Sequence, residues 1–307
     1  MSLSLGRAVG RQQSREESRA GWIAISPWVV GFLIFTLWPV ASSVYFSLTK
    51  YDVVSAPEWV GLENYRRILT DDRRFILSIK NTLVYAVLFV PLHVVTALGV
   101  ALLLHQARRL VGIFRTVYYL PSITPAVATA YLWVWILNPN DGVINRVLRF
   151  AHLPAPGWTV DPSWTKPTIV VSQLWLLGGA MIILLAGLKG IPVSLYEAAT
   201  LDGAGAWRRF RDVTLPMLSG VLFFITTIST ISALQVFTQG YVMFDKDGGP
   251  QQSALFIIMY LFKRAFEFFQ MGYASAIAWM LFLVILAITF VQFRLAKRWV
   301  YYEAGDA

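Results

Sequence analysis

The sequence predicts an all-α, polytopic integral membrane protein with six transmembrane helices and both termini in the cytoplasm. Three observations carry that prediction. The chain is 57% hydrophobic and only 14% charged, against about 45–50% and about 25% in an average soluble domain. Six stretches reach the roughly 20 apolar residues that a helix needs to cross a bilayer core. None of the six contains Asp, Glu, Lys or Arg. Unbroken runs of this kind do not suit a β-barrel, whose strands alternate. A helix satisfies its own backbone in lipid, so helices follow.

The stretches are residues 22–48, 82–104, 117–137, 168–188, 217–237 and 274–293. The first carries Pro27 and Pro39, the second Pro91, and the third Pro121 and Pro125. Each proline removes a helix hydrogen bond, so kinks are expected there. The second stretch also holds His93, the one readily titratable group at depth, read as a packed neutral imidazole. Basic residues set the orientation. One side of the membrane receives the tail and the segments around 105–116, 189–216 and 294–307, with 14 basic and 7 acidic residues. The other side receives 12 basic and 10 acidic residues in three loops of roughly 30 residues. The more basic side is cytoplasmic by the positive-inside rule. Residues 1–21 are then a cytoplasmic tail, and residues 22–307 one transmembrane domain. The first apolar run is about twice as long as a signal-peptide core, so no cleaved leader is expected. Trp59, Trp158 and Trp164 in the outer loops suit the membrane interface.

Several function classes are disfavoured. The chain has no Cys, only three scattered His, and no G-x-x-x-x-G-K-[ST] phosphate loop. No nucleophile–base pair stands out, so an enzyme is not expected, nor a metal site, nor a cofactor bound by this chain. The net charge of +9 fits cytoplasmic membrane loops better than nucleic acid. The spans lack the carboxylates that ion-driven carriers commonly use. A stand-alone carrier or channel remains the alternative.

One cytoplasmic segment, about 189–216, differs from the rest. Pro192 and Ser194 suit the start of a short helix that carries Glu197, Ala198 and Ala199. Asp202-Gly203 is a strong turn signal. A second helix is expected over 204–213, with Trp207, Phe210 and Val213 as its apolar stripe. Pro216 is expected to open the next span. The residues alone fit a docking knob or an amphipathic connector equally well.

The run Glu197-Ala198-Ala199-x-x-Asp202-Gly203-Ala204, followed by Phe210 and Leu215-Pro216, resembles the EAA loop of inner-membrane permeases of binding-protein-dependent ABC importers. Trp38-Pro39, Gly61-Leu62-Glu63-Asn64-Tyr65, Leu120-Pro121, Gly248-Gly249-Pro250 and Gly272-Tyr-Ala-Ser-Ala276 resemble the sugar-importer branch. The first permease of a maltose-type or glycerol-3-phosphate-type pair is the best match. The resemblance implies four kinds of partner besides membrane lipid: a second permease, two copies of a cytoplasmic ATPase that binds ATP and Mg²⁺, an extracytoplasmic solute-binding protein and a sugar-like solute. It implies that Glu197, Ala198, Ala199, Asp202, Gly203, Ala204, Trp207 and Phe210 couple to the ATPase. It also implies a solute path at mid-membrane depth, near 173–179 and 229–236. Within and just beyond those segments, Gln173, Trp175, Gly179, Ser229, Ser232, Gln235 and Gln239 are the candidates, with Ser232, Gln235 and Gln239 on one helical face. No span offers a cation, so a neutral sugar, oligosaccharide or polyol is expected rather than a phosphate such as glycerol-3-phosphate.

Overall fold

The computed structural model describes residues 21–106 and 111–301. The N-terminal tail before Gly21, and Arg108 and Arg109, lie outside the described residues. The elements in chain order are α1 (Gly21–Ser47), β1 (Thr49–Lys50), β2 (Glu58–Trp59), α2 (Glu63–Thr70), α3 (Arg73–Gln106), α4 (Val111–Tyr119), α5 (Ala126–Ile136), α6 (Val143–Phe150), α7 (Thr165–Leu174), α8 (Gly178–Gly190), α9 (Val193–Leu201), α10 (Ala206–Leu234), α11 (Thr238–Phe244), α12 (Ile257–Phe262) and α13 (Met271–Ala296). The strands form one short antiparallel pair, with Thr49 opposite Trp59.

Four helices, α1, α3, α10 and α13, are long and apolar enough to cross a membrane. The pair α7–α8 passes the same test together, bent by 51°. The third apolar stretch is not one helix. α4 runs into a 3-10 turn at Leu120–Ile123, and α5 starts only after Thr124 and Pro125 turn extended. Pro121 and Pro125 remove two donors within five residues, and the residue before a proline avoids the helical region. The bend in the fourth stretch lies at Trp175–Leu177. Gly178-Gly179 follow it, with low helix propensity. A Cβ on Gly178 would stand 2.4 Å from the Tyr118 carbonyl oxygen. The two broken apolar stretches thus meet near their breaks, and only glycine permits that approach.

Pro39, Pro91 and Pro216 are absorbed without a break. In α1 a π turn at Leu33–Leu37 precedes Pro39, and in α10 another at Phe210–Thr214 precedes Pro216. In each, the residue before the proline bonds back five positions, Trp38 to Leu33 and Leu215 to Phe210. The wider turn shifts the bonding register where the proline has no N–H to give. The second helix of the 189–216 segment therefore does not stop before Pro216. It starts at Ala206 and continues into the fifth span.

α3 lies at the centre, against α7, α8 and α10, while α13 packs on α1, α2 and α12. Two apolar cores result. One is rich in aromatic residues, built around Phe75, Tyr85, Phe89, Phe244, Phe256 and Tyr260. The other is aliphatic, built around Ala97, Met181, Leu184, Leu188 and Leu218, next to the 189–216 segment.

Several small motifs have local reasons. Gly61 adopts φ +58°, where only glycine sits without strain. Asn64 donates to the carbonyls of Ser47 and Thr49, both at 2.9 Å, and closes the end of α1. Tyr65 donates to the Ser47 hydroxyl at 2.7 Å. Gly272 lies under the Thr49 carbonyl, where a Cβ would clash.

Candidate functional site: a coupling loop and a mid-depth cavity

The loop at 189–216 is a helix–turn–helix. Pro192 stands at the N-cap of α9, and Ser194 lies inside the helix rather than capping it. Pro192 has extended backbone (ψ 130°), so the helix begins only at Val193. The C-terminal end closes through two bonds. Gly203 N–H donates to the Thr200 carbonyl at 3.0 Å, and Ala204 N–H to the Ala199 carbonyl at 2.9 Å. This is the Schellman closure, which needs a left-handed residue after the cap. Gly203 supplies it at φ +74°. A Cβ there would meet no atom within 4 Å, so the demand for glycine is conformational rather than steric.

Tyr196 and Thr214 bond through their hydroxyls at 3.0 Å, and Arg209 donates to the Thr200 hydroxyl at 3.3 Å. These contacts join α9 to α10. The rings of Trp207 and Phe210 pack at a tilt of 34°, with centroids 5.5 Å apart. Asp212 accepts from Arg211 at 2.7 Å, which holds its carboxyl below the ordinary value. Glu197 is exposed and makes no ion pair among the described residues. Ala198, Asp202 and Gly203 are exposed too, while Ala199 and Ala204 are half-buried. Leu201 and Trp207 are bare to 89% and 71%. Unpaired charge beside bare apolar side chains is the composition of a docking surface.

A cavity of about 400 Å³ lies between α3, α8 and α10. Gln173, Gly179, Ser229 and Ser232 line it, together with Phe89 and His93. Its depth follows from the apolar stretches. Residue 93 is the midpoint of 82–104, and Gly179 and Ser229 lie within two residues of the other two midpoints. No Lys, Arg, Asp or Glu lines it among the described residues. Its volume is in the range of small-molecule pockets, about 300–1,000 Å³.

The expected face of Ser232, Gln235 and Gln239 does not exist as one helical stripe. α10 ends at Leu234, Gln235 caps it with φ −108°, and Phe237 has φ −136° before α11 begins. The Phe237 ring packs 5.3 Å from both Tyr241 and Phe262, a tertiary contact that overrides the continued helix. Gln235 is exposed and outside the cavity lining. Gln239 is buried and donates to Gln173 Oε1 at 3.1 Å. Trp175 also lies outside the lining, edge-on to Trp133 at 5.5 Å. Two lining residues, Phe89 and His93, come from α3, which motif reading did not place in the path.

A third cluster escaped the sequence. Asp72 caps α3 by accepting the N–H groups of Arg74 and Phe75 at 3.1 and 3.0 Å. It also accepts the hydroxyls of Tyr260 and Tyr273, the latter at 2.5 Å, and pairs with Arg264 at 3.4 Å. Burial alone would push its carboxyl up, but the hydroxyl bonds, the Phe75 amide and Arg264 hold it below the ordinary value. Arg264 lies over the rings of Tyr260 and Tyr273 at 5.0 and 5.1 Å. The knot ties α3, α12 and α13 together at the end opposite the coupling loop.

Known proteins share this architecture. Residues 80–301 match the family described as binding-protein-dependent transport system inner membrane component. The chain is 41% identical to the probable ABC transporter permease protein YesP of Bacillus subtilis, over 95% of each chain. It is 33% identical to the lactose transport system permease protein LacF of Rhizobium radiobacter, over 90% of this chain and 94% of that one. Its fold matches a chain of a bacterial ABC transporter involved in import of the acidic polysaccharide alginate. There the TM-score is 0.81 at 24% identity, over 94% of this chain and 98% of that one. The chain therefore belongs to the inner-membrane components of binding-protein-dependent transport systems, and is a multi-pass transport subunit of the cell membrane rather than an enzyme.

Proposed function

We propose that this permease carries a neutral polyhydroxyl solute, a sugar, an oligosaccharide or a polyol, through the mid-depth cavity. A second permease completes the wall of the path. One of the two ATPase chains of the complex docks on the loop around Glu197 on the cytoplasmic side, and an extracytoplasmic binding protein delivers the solute. The observation that carries this reading is the lining itself. It offers an amide, two hydroxyls and an imidazole, each suited to hydroxyl groups, and no cation to hold a phosphate or carboxylate. The lactose permease of Rhizobium radiobacter, by its name, handles such a solute.

The test is uptake by the full complex in proteoliposomes, with labelled lactose, maltose, trehalose, sn-glycerol-3-phosphate and a galacturonate oligomer. One of the neutral sugars should be taken up well above both anions. Fastest uptake of an anion would overturn the neutral reading and point to a cation from the partner permease.

A further inference from the structure

We propose that His93 is a specificity-determining residue that touches the solute, hydrogen-bonding through Nε2 while its ring, backed by that of Phe89, forms a flat platform. This rests on the reading of the cavity as the solute path. The argument starts from the hydroxyls of α10. Thr226, Thr227 and Thr230 each donate back to a carbonyl four residues earlier, at 2.7, 2.9 and 2.7 Å. That is the usual fate of a hydroxyl in a membrane helix. Ser229 makes no such back-bond among the described residues. Its hydroxyl meets His93 Nδ1 at 3.0 Å across the interface with α3. Either atom can donate across this contact, depending on the tautomer of the ring. In both tautomers Nε2 keeps one hydrogen-bonding function, an N–H or a lone pair, for another group.

Nε2 makes no hydrogen bond among the described residues, and His93 lines the cavity. Nε2 is therefore available to whatever fills the space. One turn earlier, Phe89 stacks on the imidazole, 5.0 Å between centroids and 22° between planes. Phe89 is buried, so the ring is held from behind. A flat, fixed surface with one hydrogen-bonding nitrogen at its edge suits a sugar ring, which has a face of C–H groups and, on its rim, hydroxyls that both donate and accept. Ser229 then orients His93.

The experiment uses the assembled complex and the best-transported solute of the panel above. His93→Phe keeps the platform and removes the hydrogen-bonding nitrogen. KM for uptake should rise about three- to tenfold, the loss of one hydrogen bond. ATPase stimulation by loaded binding protein should be unchanged. His93→Gln returns a donor and should recover most of the affinity. An unchanged KM in His93→Phe overturns the proposal. A solute-free readout separates this from failure of the sugar reading. The chain has no cysteine, so His93→Cys carries a single thiol. The water-soluble reagent MTSET should modify it as fast as Ser232→Cys in the cavity. Val87→Cys, on the exposed outer face of α3, should resist. Reaction at Ser232→Cys with none at His93→Cys overturns the proposal and leaves the solute path standing.

Discussion

The two ends of the molecule are built on opposite plans. The coupling loop is held by bonds between near neighbours, Gly203 to Thr200 and Ala204 to Ala199, and it exposes its charged and apolar side chains. The Asp72 knot is held by partners 188 to 201 positions away, and it hides its charges. The loop thus leaves its side chains open to the outside, and the knot fixes three helices against one another. α10 runs from the loop at Ala206 to Leu234 and carries Ser229 in the cavity wall.

The largest effect should come from the knot. Asp72→Ala leaves Arg264 mostly buried without a counter-charge and strips the acceptor from two tyrosines. Breaking a buried pair this way costs about 3–5 kcal/mol. The detergent-solubilised chain should melt several degrees lower, and Asp72→Asn, which keeps one acceptor oxygen, should fall less. A melting curve for Asp72→Ala equal to wild type would break the contrast between the two ends.

Next comes the loop. Gly203→Val forces a β-branched residue to φ +74°, at about 1–2 kcal/mol. The cost is local and borne by an exposed turn. Melting should hardly change, while ATPase stimulation by loaded binding protein should be lost. Retained stimulation would mean that the turn does not transmit.

Acid should separate the ends as well. The folded Asp72 carboxyl titrates below its unfolded value of about 3.9. Its stabilisation is therefore fully present above that value and fades as pH falls through the folded one. Wild type should lose more stability than Asp72→Asn between about pH 5 and the acid limit. Equal acid profiles would remove Asp72 from the account.

The smallest effects belong to single amides. Gln173→Leu removes a cavity group and the partner of Gln239. Uptake should fall about three- to tenfold for one lost hydrogen bond. Gln235→Leu, outside the lining, should fall less. The reverse order would move the path toward the end of α10.

These regions also differ in how far the sequence discloses them. The coupling loop was legible because its structure is local: Asp202-Gly203 names its own turn. The apolar stretches gave the helical class for the same reason. The ends and breaks were not legible where tertiary contact decides them. α10 stops at Leu234 because the Phe237 ring packs against Phe262, and no periodicity in 217–237 announces it. The α7–α8 bend depends on the Tyr118 carbonyl lying over Gly178. In the cavity, motif spacing found Gln173, Gly179, Ser229 and Ser232 and missed Phe89 and His93, which belong to another helix. Asp72 carried a readable signal as an acid just before a helix start, but its tyrosine partners did not.

The most direct test of the whole account is solute uptake into liposomes holding either this chain alone or the complete complex. The complex should accumulate a neutral sugar only when ATP and loaded binding protein are both supplied, and Gly203→Val should abolish that accumulation. Uptake by this chain alone, without ATP, would contradict the account and make the protein a self-sufficient carrier or channel.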